Sequence, residues 1–200
     1  MTSMNNDNGR QFDVVGISGS LRATSHNSAL LSAAKELAPA NVNVAIFDIK
    51  DIPFYDGDVE KAGDPLAVAA LKEAIRASHG VLVVTPEYNH GIPGVLMNVL
   101  DWASRDNAAG SLLGKPATVM GAGGMSGAGR AQGHLHTVLA ATGALVMAKP
   151  GVLVATPGDK FDDQARLVDE ETRDFVRAHM TAFREWMALI GRGASVPVTA

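Results

Sequence analysis

The 200-residue sequence contains no cysteine, which excludes disulfides, thiolate metal sites and a cysteine nucleophile. No apolar run reaches the ~20 residues that a membrane span needs. Residues 1–11 are polar and hold no apolar core of a secretory signal, so they are expected to form a disordered tail and the location to be cytoplasmic. Charged residues make up only 19% of the chain and hydrophobic residues 46%, enough to fill one sizeable core. The net charge of −4 gives no electrostatic reason to expect a nucleic-acid partner. Internal repeats, low-complexity blocks and linkers are also missing. Residues 12–191 are therefore expected to form one domain, with 192–200 a flexible tail.

Several motifs are absent as well. Gly16 and Gly19 are three apart with no further glycine in their loop, so there is no G-x-G-x-x-G turn for a dinucleotide. No Gly-Lys-Ser/Thr follows either, which excludes a Walker A loop. A Ser–His–Asp triad lacks its G-x-S-x-G elbow. His134 and His136 are two apart on an expected helix and point in different directions, so they do not form an i, i+4 metal pair.

Buried-strand patterns do occur, at residues 12–17, 42–47, 81–84, 117–120 and 144–147. Between and after them, helical patterns cover residues 29–37, 65–77, 93–102, 130–141 and 169–189. Asn27 or Ser28 is a candidate cap for the first helix. Residues 48–64 read as a long loop. Five strands alternating with helices call for an α/β three-layer sandwich, a parallel sheet covered on both faces. The expected order is the flavodoxin-like 2-1-3-4-5, with a ligand at the carboxyl ends of the strands where the order reverses.

Three unusual loops converge there. The first, residues 18–28, joins a buried strand to a helix start and is rich in hydroxyls. Ser18, Ser20, Ser25 and Ser28 offer donors, Arg22 a charge-assisted contact, and Gly19 a close backbone approach. Together with unpaired amides at the helix start, this suits a single terminal phosphate. The second loop, residues 85–94, holds Pro86, Glu87, Tyr88, Asn89 and His90 between two prolines. A rigid loop exposing a ring and amides suits a planar heterocycle. His90 beside one carboxylate lacks the ligand count for zinc and reads as a polar rim residue. The third loop, residues 121–129, has five glycines in nine residues, so its backbone can approach a ligand closely.

With these loops the chain resembles the NAD(P)H-dependent FMN reductase family of flavodoxin-like quinone, azo-dye and chromate reductases. The resemblance is carried by Gly19-Ser-Leu-Arg-Ala-Thr-Ser-His-Asn27, Thr85-Pro-Glu-Tyr-Asn89 with Pro93-Gly94, and Leu100-Asp-Trp102. Gly114-Lys-Pro116 and Arg130-Ala-Gln-Gly-His-Leu135 add to it. It implies FMN as cofactor and NAD(P)H as co-substrate. It places the phosphate on Ser18, Ser20, Leu21, Arg22, Ser25, His26 and Asn27. The isoalloxazine falls to Pro86, Glu87, Tyr88 and Asn89, and its other edge to Gly121, Ala122, Gly123 and Gly124. No catalytic side chain is implied, because the flavin carries the redox chemistry. The implied partners are a small-molecule electron acceptor and further copies of the chain, as a homodimer or homotetramer. The loop at 51–57 and the helix at 92–102 are the candidate contacts. Two departures stand out. Family members often carry an aromatic residue where His26 and His90 stand, and Ser or Thr where Gly121 and Ala122 stand. The rival expectations are a flavodoxin-like electron carrier that never meets NAD(P)H, or a non-enzymatic FMN-binding module.

Overall fold

A computed structural model describes residues 9–105 and 110–193. Residues 1–8 and 194–200, the greater part of the two expected tails, lie outside the described residues. The sheet is parallel throughout. Its strands are β1 (Phe12–Ser18), β2 (Val42–Phe47), β3 (Gly80–Thr85) and β4 (Pro116–Ala122), with two short strands, β5 (Leu145–Val146) and β6 (Val152–Val154), at the far edge. The order β2-β1-β3-β4-β5 is the one expected from the alternation of strands and helices.

Both faces of the sheet are covered, which is why its inner strands read as unbroken apolar runs. All six residues of β3 are buried. Val14, Leu82, Val84 and Met120 point to one face, where α1 (His26–Glu36) and α6 (Glu170–Gly193) pack. Val15, Val81, Val83 and Val119 point to the other. There α3 (Leu66–Ala77), α4 (Gly94–Ala103) and α5 (Gly129–Ala141) supply Leu71, Ile75, Leu96, Val99, Leu135 and Leu139. This alternation follows from the two-residue repeat of a strand. Among the described residues no helix is long and apolar enough to cross a membrane.

Three local expectations need correction. The stretch 48–64 is not all loop, since α2 (Gly57–Ala62) forms within it, capped by the Asp56 side chain. It buries nothing, so no apolar periodicity betrays it. Helix α1 starts at His26, three residues earlier than expected, and its cap is Ser25 rather than Asn27 or Ser28. The fifth strand position is divided. β5 pairs with the start of β4, and β6 pairs with its end. Pro150 lies between them, and with no N–H to donate it interrupts the ladder.

The register brings the site together. Ser18 pairs with Val84, and Thr85 with Gly121, so β1, β3 and β4 end side by side. Their carboxyl-terminal loops meet beside the point where the chain reverses direction across the sheet, between β1 and β3.

Candidate functional site

The loop after β1 is shaped by its hydroxyls. Ser25 Oγ accepts from the Asn27 and Ser28 amides at 3.2 and 3.4 Å and so starts α1. Ser18 and Ser28 pair their hydroxyls at 3.0 Å. Ser20 is buried, and Arg22 is exposed, with its guanidinium donating to the Thr24 carbonyl at 3.1 Å. His26 stacks on Phe161 with ring centroids 5.0 Å apart.

Asn27 reaches across to the loop after β4. Its side-chain amide donates to the Ala122 carbonyl and accepts from the Ala122 N–H, each at 2.9 Å. This two-point bridge mimics a strand pair and holds the first and third loops at fixed spacing.

The loop after β3 is a tight hairpin. Tyr88 and Gly91 exchange backbone hydrogen bonds at 3.2 and 3.0 Å. Between them Asn89 and His90 both have positive φ, 50° and 64°, as a type I′ turn requires. Glu87 points away from this turn toward α5. One carboxylate oxygen accepts from the Arg130 and Ala131 amides at 2.9 and 3.3 Å, and the other faces His90 and Arg130 at 3.4 and 3.6 Å. Burial pushes the Glu87 carboxyl up, but the two amides, His90 and the Arg130 charge outweigh it, so its pKa is lowered and it stays ionised.

The loop after β4 folds over β6. Gly123 donates to the Val154 carbonyl at 3.1 Å, and Thr156 to that of Gly124 at 2.6 Å. At Gly127, with φ 58°, a Cβ would lie 2.4 Å from the Leu153 carbonyl carbon, so only glycine lets these backbones touch. Gly121 is equally constrained. A Cβ there would meet Gln132 Nε2 and the Thr85 carbonyl at 2.7 Å. The buried Gln132 fills the space beside it and donates to the Gly127 and Val152 carbonyls.

One cleft of about 230 Å³ lies among the three loops. Its walls take Ser20, Arg22, Ser25, His26 and Asn27 from the first loop, Pro86, Glu87 and Tyr88 from the second, and Ala122, Gly123 and Gly124 from the third. Ser18, Leu21, Asn89 and Gly121 do not line it. Pro157 does, and the sequence reading missed it. It opens a short 3-10 turn, Pro157–Lys160, well beyond the third loop in the chain, and only the fold brings it near. A wider hollow of about 310 Å³ between β6 and the start of α6 takes no lining residue from the three loops.

The donor set fits FMN. Hydroxyls, a guanidinium and a helix start gather at one end, as a phosphate monoester requires. Pro86 and Tyr88 of the second loop and the glycines of the third line the rest of the cleft. A parallel sheet of order 2-1-3-4-5 with such a cleft at its switch point defines a flavodoxin-like nucleotide-binding protein. The chain belongs to the NADPH-dependent FMN reductase family, whose pattern matches residues 12–159. It is 41% identical to an NAD(P)H-dependent FMN reductase of Pseudomonas aeruginosa, over 87% of this chain and 94% of that protein. It is 39% identical to a quinone reductase of Escherichia coli, over 88% of this chain and 96% of that one. Among solved structures it is similar to FerB of Paracoccus denitrificans, a flavoenzyme NAD(P)H:(acceptor) oxidoreductase. The TM-score there is 0.80 and the identity 33%, covering 88% of this chain and 97% of FerB.

Proposed function

We propose that this protein is a cytoplasmic oxidoreductase that passes electrons from NAD(P)H through bound FMN to quinones or similar small acceptors. The observation that carries the reading is the three-loop cleft, which brings Ser20, Arg22 and Ser25 of the first loop together with Pro86 and Tyr88 of the second and Gly123 and Gly124 of the third. Ser20, Arg22 and Ser25 would hold the phosphate. When bound, FMN supplies a hydride acceptor and a store for two electrons. The chain's own task is to hold the ring, exclude water from one side of it, and leave the other side open to donor and acceptor in turn. Residues 12–191 form the FMN-binding domain in this reading.

The names of the relatives support the donor and the acceptor class, and family membership supports the cofactor. The purified protein should be yellow and should oxidise NAD(P)H when a quinone is supplied. Because one open face serves both partners, initial-rate lines at several fixed quinone concentrations should be parallel. Intersecting lines would indicate a ternary complex and a second substrate site. A yellow protein that leaves NAD(P)H untouched would be an electron carrier instead.

A further inference from the structure

We propose that Glu87 is a positioning residue, which locks the flavin-facing turn to the start of α5 and so presets the cleft; this rests on the FMN reading above. Helix α5 begins without a cap of its own. Its N-cap residue, Ala128, is left-handed (φ 60°) and has no side chain able to accept from the first amides. Glu87, forty-three residues earlier in another loop, supplies the missing acceptor through its bonds to the Arg130 and Ala131 amides. A carboxylate is the best group for this place, because the helix start carries the positive end of the dipole.

Both carboxylate oxygens are engaged in this contact. The side chain is 12% exposed, so the arrangement is shielded from water. Arg130 and His90, which close over it with Nη1 and Nδ1 2.8 Å apart, are exposed. The backbone of Glu87 belongs to the cleft wall, and a Cβ on Gly123 would lie 3.9 Å from its amide nitrogen. Glu87 therefore lies beside the third loop through its main chain and holds the start of α5 through its side chain. With Asn27 tying the first loop to the third, the three loops are interlocked by two side chains. Glu87 acts on the flavin through the placement of Pro86 and Tyr88.

The test compares Glu87→Ala, Glu87→Gln and Arg130→Ala. Three quantities are read: FMN affinity, the visible circular dichroism of the bound flavin, and the melting point of the apoprotein. Glu87→Ala should weaken FMN binding about tenfold, alter the flavin dichroism and lower the apoprotein melting point by several degrees. Glu87→Gln keeps one oxygen for the amides and should restore affinity to within about threefold. Arg130→Ala keeps the backbone N–H that makes the bond and should stay within about twofold. Wild-type affinity and dichroism in Glu87→Ala would overturn the proposal. So would a Gln variant whose FMN affinity falls as far as that of Ala while its apoprotein melts like wild type, since that points to the charge itself acting on the flavin. Should Glu87→Ala fail to fold, the Gln and Arg130 variants decide between these outcomes. Failure of the wild-type chain to bind FMN would overturn the reading of the cleft. The apoprotein melts would still show whether Glu87 caps α5.

Discussion

Arg22 donates to the Thr24 carbonyl and lines the cleft. Its removal tests where the phosphate sits. Arg22→Ala should weaken FMN binding by roughly 1.5–3 kcal/mol, the scale of a hydrogen bond to a charged group. Isothermal titration with unchanged affinity would place the phosphate elsewhere. A second residue controls stability rather than binding. His179 on α6 is 1% exposed and shares a 2.8 Å hydrogen bond with the Thr118 hydroxyl on β4. Burial pushes its pKa down to about 4, opposed by the Pro150 backbone and aided by His136 on α5. The unfolded chain takes up this proton near pH 6.5, the folded chain only near 4. Between those values the unfolded state binds more protons, so stability is full above 6.5 and falls as the pH drops, by about 3 kcal/mol in all. His136, also lowered by burial, adds in the same direction. Urea melts at pH 7, 6 and 5 should show the decline. His179→Gln should flatten it, and an unchanged slope in that variant would assign the effect to other groups.

Among the elements, the Tyr88–Gly91 turn has the clearest mechanical role. Its type I′ geometry and the Glu87 contact brace it, so Tyr88 is expected to support the proposed flavin by packing. Tyr88→Phe should turn over almost normally, and Tyr88→Ala should lose flavin affinity. If the hydroxyl instead donated a proton to the acceptor, reoxidation of the reduced Phe variant by a quinone would slow on the order of 10²-fold or more. Single-turnover kinetics separate the two. The same turn shows how far elements were legible in the sequence. Two prolines and a buried strand before it mark a rigid loop, but nothing local says that Glu87 faces a helix rather than a ligand. β3 and β4 are legible because burial on both faces leaves no polar position. α2 is not, because a six-residue polar helix resting on Asp56 has no apolar stripe. The start of α1 was blurred by a surplus of hydroxyls, any of which could cap. The divided fifth strand was half seen, because β6 is only three residues long and lies beyond a proline. Pro157 and the Asn27 bridge depend on contacts that no short window of sequence contains.

For the whole molecule, the expected self-association can be tested at the surface beside α4. Pro53 accepts from Asn98 and Trp102 at 2.8 and 2.9 Å, and the Tyr55 amide donates to Asn98 at 2.7 Å. Phe54, between these anchors, is nevertheless 84% exposed. A large ring held out on a fixed loop suits burial against a second copy, in keeping with the proposed dimer or tetramer. Phe54→Asp should shift sedimentation toward the monomer, and an unchanged oligomer would move the interface elsewhere. The Asn27 bridge has a further consequence, one of timing. Asn27 and its partner Ala122 are 95 residues apart. At about 5–20 residues per second, synthesis leaves the first loop waiting roughly 5–20 s for the strand that completes it. The nascent chain has no finished pocket during that interval. In the FMN reading, the cofactor therefore finds its complete cleft only after Ala122 has been made.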